Sequence, residues 1–364
     1  MHPRPHFLCL LSLAFSLTPV PLAAHERCLD QVWQGTIDRA AITMEFSSWS
    51  GDEKMRVGQY YYGHRLEELV LQPSTEQHGT WEERDAEGRL SGLLQLKCKA
   101  NRLTGTWSSP DGKTVRRLNA VRAPSYRERQ LSKLRFDVQE VIALGGGRTA
   151  EVIRVPGIDR ASAVRIVGSG RGVEALNRRL LRQFREQLEG LLDCRVAGRH
   201  ADGADDGYDV SFGTEVVAHS ADLIVFRQFS SEACGGAHPA VDEWNWTWNI
   251  ALDRPEDVSA WLTDEPPDLG EPDADGEYPE TALASYIRTH SGEDTDECRD
   301  AVSVKLGPGE LWPGPDGIYI RPQARSYAER YCAHEFLVPN DVIRPYMTEI
   351  GWKYLRAMKW ARSR

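Results

Sequence analysis

The stretch Gly88-Arg-Leu-Ser-Gly-Leu-Leu-Gln-Leu-Lys-Cys-Lys-Ala-Asn-Arg-Leu-Thr-Gly-Thr-Trp107 decides the fold of the first part of the chain. It contains two similar motifs, Gly88-Arg-Leu-Ser-Gly92 and Asn101-Arg-Leu-Thr-Gly105. The Gly-Thr-Trp that ends the stretch also occurs at Gly79-Thr-Trp81. Because glycine marks turns between short β-rich runs, these repeats indicate successive β-hairpins.

The same pattern extends over the surrounding region. Short β-rich runs lie at Val57–Tyr62, Glu68–Gln72, Gly79–Glu83, Leu93–Cys98 and Gly105–Trp107. Turn signals about every ten residues are typical of a meander that closes into a small barrel or sandwich. We therefore predict an all-β domain over 25–122. Gly-x-Trp elements also occur in ligand-binding barrels, so an alternative function is to carry a small ligand in this domain, although we favour core packing for the tryptophans.

Residues 1–24 are typical of a cleaved secretory signal peptide. A basic residue precedes an apolar run from Phe7 to Leu17, and Thr18–Ala24 supplies a small-residue cleavage region. The alternative to a cleaved signal peptide is an N-terminal membrane anchor, but the apolar run is too short to span a membrane. No later stretch approaches the length of about 20 apolar residues that a span needs. We expect a periplasmic or secreted protein without a transmembrane segment after cleavage.

Cleavage would leave an even set of cysteines, which in an oxidising compartment predicts disulfides. These cysteines are Cys28, Cys98, Cys194, Cys234, Cys298 and Cys332. The first two fall in the predicted all-β domain and are expected to pair. The other four allow three connectivities, of which we favour pairing between nearest neighbours, 194 with 234 and 298 with 332. A zinc site is the alternative, but no Cys-x-x-Cys or His-x-x-x-His spacing supports it, so we expect no metal and no cofactor.

The charge of the chain argues against nucleic acid as a general partner, since the net charge is −10 over 364 residues. The acidity is uneven, because 253–300 holds sixteen Asp or Glu and only three Arg. An acidic patch would attract cationic partners. The alternative interpretation is a solvated loop that keeps the protein soluble.

A second domain is predicted over 136–364, after a polar linker over 123–135. Apolar residues at 3-to-4 spacing predict an amphipathic helix over 172–192, and 341–359 is also predicted to be largely helical. Short alternating runs that predict strands lie at 136–143, 163–167, 208–217, 223–229 and 244–252. Short links between strands favour antiparallel pairing. We therefore predict an α+β fold in which helices pack on an antiparallel sheet.

One tract of this domain combines residues that a core does not require. It begins with Cys234-Gly-Gly-Ala-His-Pro239. Gly235 and Gly236 permit a positive φ, and the proline that follows His238 holds that histidine extended. His238 would then either bind a carboxylate of a partner or cap a turn within the fold.

The tract continues into Trp244-Asn-Trp-Thr-Trp248. In a strand, Trp244, Trp246 and Trp248 lie on one face because side chains alternate. If a helix covers that face, the tryptophans belong to the core. If the face is exposed, they form a stacking platform for a sugar or another protein.

Seven segments of the second domain follow one another in a recognisable order. They are Val173–Asn177, Tyr208–Phe212, Asp222–Phe226, Gly235–Pro239, Trp246–Ile250, Pro315–Ile320 and Phe336–Pro339. Over roughly 135–350 this order resembles the RsiV-type extracytoplasmic domain family, which also occurs with peptidoglycan deacetylase domains. Gly-Gly-Ala-His followed by Pro-Asp-Gly is the most specific part of the resemblance. The N-terminal domain resembles no family that we identify.

The resemblance implies a binding module that faces the cell envelope, and lysozyme is the best-known ligand of one member. The expected partner is lysozyme, another cationic envelope protein, or peptidoglycan. We expect the binding residues to lie in the tract, at Gly235, Gly236, His238, Trp244, Trp246 and Trp248.

A peptidoglycan-modifying hydrolase or deacetylase that uses His238 is the competing hypothesis. Cys234 lies close enough in sequence to suggest a thiol nucleophile, but its predicted disulfide removes the thiol. Ser230 and Ser231 lie in no Gly-x-Ser-x-Gly motif. The carboxylates of 253–300 lack the rigid support that glycoside hydrolysis requires. We therefore predict a binding protein without catalytic residues.

Overall fold

The computed structural model describes residues 30–48, 56–63, 65–200, 208–234, 240–263, 282–290, 302–303, 310–324 and 332–362. The predicted signal peptide, 1–24, lies outside these residues. The chain divides into two units, residues 1–126 and 127–364. Within the described ranges, no helix has both the length and the apolar character that a membrane span requires.

The first unit is a closed barrel of eight strands, in which each strand pairs with its neighbours in chain order. Strands β1 to β8 are Val32–Ile37, Ala40–Ser48, Arg56–Tyr62, Glu68–Pro73, Thr80–Arg84, Leu90–Lys99, Arg102–Ser108 and Val115–Ala123. β1 pairs antiparallel with both β2 and β8, which closes the barrel. Of the predicted alternatives, a small barrel or a sandwich, the structure shows the closed barrel, and the two repeated motifs lie at the starts of β6 and β7.

Apolar and aromatic side chains fill the interior of this barrel, because alternate residues of each strand point inward. The buried inward set includes Trp33, Met44, Phe46, Tyr60, Leu71, Trp81, Leu94, Leu103 and Leu118. These side chains form the core of the barrel.

Two carboxylates of the barrel strands are buried, Glu68 at 2% exposure and Glu83 at 3%. Glu83 accepts hydrogen bonds from the Tyr60 hydroxyl, from Ser91 Oγ at 2.8 Å and from Trp107 Nε1 at 2.7 Å. Three donors offset the cost of removing a carboxylate from water. Burial, and then the charge of Glu83, raises the pKa of Tyr60 well above its usual value, so this phenol remains a donor at neutral pH.

The second unit is built mainly of antiparallel sheets. Its strands β9 to β21 are Asp137–Ala143, Thr149–Arg154, Ser162–Val167, Tyr208–His219, Leu223–Cys234, Ala240–Asn249, Arg254–Glu256, Val302–Ser303, Leu311–Gly314, Gly317–Ile320, Gln323–Ala324, Phe336–Pro339 and Lys359–Trp360. Helices α1 to α5 are Arg127–Leu131, Arg171–His200, Ala282–His290, Asn340–Ile343 and Glu349–Arg356, and 3₁₀ turns lie at Gly145–Gly147, Val258–Trp261 and Arg344–Tyr346. The central sheet has the order β15-β14-β13-β12-β21.

Two layers cover the central sheet. On one face, α2 packs its apolar stripe, which includes Val173, Leu176 and Leu180, against side chains of β12, β13 and β14. On the other face, residues of β17, β18, β20 and α5 form a second core around Trp261 and Trp312. The side chains of β14 therefore pack against different layers on its two faces.

The helices differ from the prediction in extent. α2 continues eight residues beyond 192, to His200, and the added turns hold Cys194. The predicted helix over 341–359 is broken, because Met347 is extended at φ −101° and ψ 143° and Thr348 then caps α5. Strands predominate among the described residues and helices are few, so the predicted α+β class is confirmed only in part. Residues of the predicted linker, 123–135, include α1, whose Gln130 and Leu131 are buried.

Candidate functional site

The strand β14 carries the predicted tryptophans and organises the candidate site. It pairs with β13 in an unbroken antiparallel register that runs from Leu223 opposite Asn249 to Glu232 opposite Ala240. Side chains alternate between the two faces of such a strand. Each face can therefore be described separately.

The tryptophan face is covered by α2. Trp248 is 5% exposed and belongs to the core shared with the helix, while Trp246 and Trp244 are half-buried. The ring of Trp246 stacks on Phe226 with centroids 4.5 Å apart, and the guanidinium of Arg179 lies 4.9 Å from its centroid. Of the two arrangements open to the tryptophans, the structure shows core packing for Trp248, and Trp244 and Trp246 retain partial exposure.

The opposite face of β14 buries polar side chains that the sequence analysis did not single out. Asn245 Nδ2 donates to Glu335 at 3.2 Å, and Asn249 Nδ2 donates to Glu256 at 2.9 Å. Each carboxylate also accepts from an indole, Trp312 Nε1 at 2.8 Å and Trp261 Nε1 at 3.0 Å respectively. Each carboxylate thus links a side-chain amide of β14 to an indole of the second core, which packs on this face of the sheet.

A group of four charged side chains continues this face. Arg227 contacts Glu243 at 3.1 Å and Glu335 at 3.3 Å, and Arg321 contacts the same two carboxylates at 2.6 and 3.5 Å. Each carboxylate therefore lies between two guanidinium groups. Networks of this kind contribute more than isolated surface pairs. We expect this network to hold β13 and β14 against the segment around β18 and β20.

Beyond this network, β13 and β14 extend as a hairpin whose described end consists of residues 230–234 and 240–243, here called the hairpin end. Cys234 forms a disulfide with Cys194 of α2, with Cα atoms 5.3 Å apart. The predicted pairing is confirmed. Glu232 and Asp242 are exposed, and Val241 is 52% exposed.

The predicted binding residues Gly235, Gly236 and His238 join the two strands of the hairpin end in sequence and lie outside the described residues. The disulfide of Cys234 removes the thiol that a cysteine nucleophile would need. Cys98 and Cys332 are also disulfide-bonded. Their predicted partners, at positions 28 and 298, lie outside the described residues, so those pairings stay predictions.

The last turns of α2 lie next to the disulfide and contain several basic residues. Burial, and then the charge of Arg199, lowers the pKa of His200 to about 4. Burial is also the main reason that the pKa of Arg195 is lowered. Arg160 forms an ion pair with Asp209 at the start of β12. At neutral pH His200 is therefore uncharged, and the arginines carry the positive charge of this helix end.

Residues in or next to the segments that resemble the RsiV-type family have structural roles here. Asn177 of α2 accepts from the backbone N–H of Ile166 and donates to its carbonyl oxygen, both at 2.8 Å. Asn340 Nδ2 donates to the carbonyl oxygen of Pro315 at 2.9 Å. A Cβ at Gly317 would lie 2.0 Å from the carbonyl oxygen of Val338, so only glycine fits this turn.

Comparison with known proteins gives no family for the chain. No family model and no curated protein matches it. Among solved structures, it is similar to a DUF3298 family member from Bacteroides fragilis, with 15% identity, a TM-score of 0.35, and coverage of 60% of this chain and 94% of that one. A DUF3298 family protein from Pseudomonas aeruginosa shows 12% identity, the same TM-score, and coverage of 60% and 96%. At these TM-scores the similarities identify neither family nor function.

Proposed function

We propose that this chain is a cell-envelope protein, periplasmic or secreted, that binds a cationic protein such as lysozyme at the hairpin end. The observation that carries the proposal is the disulfide between Cys194 and Cys234, which fixes the end of an extended hairpin to the long helix α2. A rigid support lowers the entropy that a binding surface loses when it meets its partner. The hairpin end is thus held in place while part of it stays accessible.

Charge supports a cationic partner. Glu232 and Asp242 are exposed at the hairpin end, and the whole chain carries a net charge of −10. Complementary charge accelerates association and disfavours partners of the same sign. Val241, which lies beside Asp242 and is 52% exposed, adds apolar area that a protein partner can cover.

The disulfides support the compartment. Disulfides form and persist in oxidising environments and are rare in the cytosol. Cys98, Cys194, Cys234 and Cys332 are all disulfide-bonded. With the signal-like sequence of 1–24 and the RsiV-type resemblance of 135–350, this favours a protein that works outside the cytoplasmic membrane.

Calorimetric titration of the mature protein with lysozyme tests the proposal. We expect binding that weakens as salt rises from about 50 to about 150 mM, because screening reduces attraction between exposed charges. The double variant Glu232→Gln/Asp242→Asn should lose about tenfold in affinity at the lower salt concentration.

A matched control removes two carboxylates at the opposite end of the central sheet. Asp222 lies in the turn before β13, and Asp253 lies in the turn after β14. The variant Asp222→Asn/Asp253→Asn carries the same change in net charge and should bind like the wild type. No heat of binding at either salt concentration, or equal losses in both double variants, would contradict the proposal.

A further inference from the structure

A groove of about 610 Å³ lies on the first unit, where the turn between β1 and β2 meets β8. Arginines dominate its polar lining, which consists of Asp38, Arg39, Arg116, Arg117 and Asn119. All three arginines are exposed. Three positive charges and one negative charge give this lining a net charge of +2, in a chain whose overall charge is −10.

These arginines differ from three other cations at the same end of the barrel, each of which forms an ion pair. Arg89 pairs with Asp85 and Glu87, Arg84 pairs with Glu82, and Lys113 pairs with Asp111. Within the described residues, Arg39, Arg116 and Arg117 form no ion pair. Their guanidinium groups are therefore available to an anion from solution.

Two contacts give the groove a defined shape. The guanidinium of Arg116 lies 5.0 Å from the centroid of the Trp107 ring, and Trp107 is itself held by its hydrogen bond to Glu83. Cation–π contact of this kind restrains an exposed arginine. On the other side, Asp38 Oδ1 accepts from the backbone N–H of Arg117 at 3.0 Å, and the backbone N–H of Asp38 donates to the carbonyl oxygen of Arg117 at 2.8 Å.

Asp38 also adopts an uncommon backbone conformation, with φ at 51°. Aspartate tolerates this region better than most residues with a Cβ. Its carboxylate is turned towards the backbone of β8, where it satisfies an N–H group. The single acid of the lining thus has a role in closing the turn, while the arginines beside it have no carboxylate partner among the described residues.

We infer that this groove binds a ligand that carries a phosphate group. Guanidinium groups match the geometry of phosphate oxygens and form charge-assisted, often bidentate, hydrogen bonds with them. A phosphate monoester carries a charge of about −1.5 to −2 at neutral pH, which the net charge of the lining balances. The groove is formed by residues of the first unit and the hairpin end by residues of the second, so the groove uses no residue of the proposed protein-binding surface.

The test measures binding of inorganic phosphate to the mature protein by calorimetry at low salt. The double variant Arg39→Gln/Arg117→Gln should bind phosphate at least about tenfold more weakly, because each arginine supplies a charge-assisted contact. Both side chains are exposed, so the variant is expected to fold, and its thermal unfolding is compared with that of the wild type. The control Arg89→Gln/Arg122→Gln removes two exposed cations of the same barrel outside the groove, and its affinity should change less than about twofold.

A second arm distinguishes a soluble phosphate from a lipid headgroup. Vesicles of phosphatidylcholine with phosphatidic acid are compared with vesicles of phosphatidylcholine alone. Phosphate binding that is lost in Arg39→Gln/Arg117→Gln supports a soluble ligand. Binding only to phosphatidic acid vesicles, lost in the same variant, supports a lipid ligand of the same chemistry. Failure to bind either probe, or equal effects of the test and control variants, would overturn the inference.

Discussion

The side chain of Asn177 forms both hydrogen bonds that a neighbouring strand would otherwise make with Ile166, each at 2.8 Å. Ile166 is 2% exposed, so its backbone groups have little access to water. Buried backbone groups without partners cost about 1–3 kcal/mol each. The amide of Asn177 thus ties α2 to β11 at a point where apolar packing alone would leave unpaired polar groups.

We predict that Asn177→Ala lowers the free energy of unfolding by about 2–3 kcal/mol, because it leaves the N–H and carbonyl groups of Ile166 unpaired. Arg178→Ala, at the next position and exposed, is the control and should change stability by less than about 0.5 kcal/mol. Chemical denaturation of both variants measures the difference. Equal stability of the two variants would show that the amide has no such role.

Single residues also show what the sequence could reveal about the site. An even number of cysteines predicted disulfides but left three connectivities open, and the preference for nearest neighbours selected the pair of Cys194 with Cys234 that the structure shows. Glu335 could not be assigned in that way. It lies 90 positions from Asn245 and 108 from Arg227, so only the folded chain brings these side chains together. In the sequence, the polar residues that alternate with the tryptophans of β14 were the signal that could have indicated a polar face on the opposite side of the strand.

At the scale of elements, the hairpin of β13 and β14 depends on its attachment to α2. The disulfide closes a loop with a sequence separation of 40 residues. In the chain-entropy account, a loop of this length stabilises the folded state by about 4 kcal/mol. Cys194, which makes this attachment, lies in the part of α2 beyond its predicted end at 192.

We predict that Cys194→Ser/Cys234→Ser lowers the free energy of unfolding by about 3–4 kcal/mol and increases amide exchange at 230–234. Ser230→Ala/Ser231→Ala changes the same hairpin end, leaves the disulfide intact and serves as the control. Denaturation and hydrogen exchange are measured on both variants. A stability loss below about 1 kcal/mol with unchanged exchange would contradict the proposed role of the disulfide.

The faces of β14 illustrate the limits of periodicity. The alternation of side chains along a strand predicts that Trp244, Trp246 and Trp248 share one face. It does not predict which element covers that face. The answer depends on where α2 crosses the sheet, and its crossing places Trp248 in the core at 5% exposure. The helix over 341–359 was overestimated for a related reason, since its apolar spacing continued through Met347 while the backbone there is extended.

At the scale of the whole molecule, repeated turn signals predicted an all-β domain over 25–122, either a small barrel or a sandwich. Its closure, the pairing of β1 with β8, joins residues at the two ends of the domain and leaves no local signal in the sequence. The groove beside this pairing was missed for the same reason, because Arg39 and Arg117 meet only when the barrel closes. Local sequence signals thus predicted the strands. They did not predict the groove, because it forms only when strands that are distant in sequence pair.

The two units carry surfaces of opposite charge. The arginine groove of the first unit has a net charge of +2, whereas the hairpin end of the second presents Glu232 and Asp242. Opposite charges suit different partners, an anion at the groove and a cationic protein at the hairpin end.

Hydrogen exchange of the protein, measured by mass spectrometry with and without lysozyme, tests the central claim most directly. Binding at the hairpin end predicts that lysozyme slows amide exchange in peptides that cover 230–234 and 240–243, and that exchange in the barrel strands of 32–123 is unchanged. Protection confined to the barrel or to the turn at 220–222, or no protection at a lysozyme concentration that saturates the calorimetric signal, would contradict the claim.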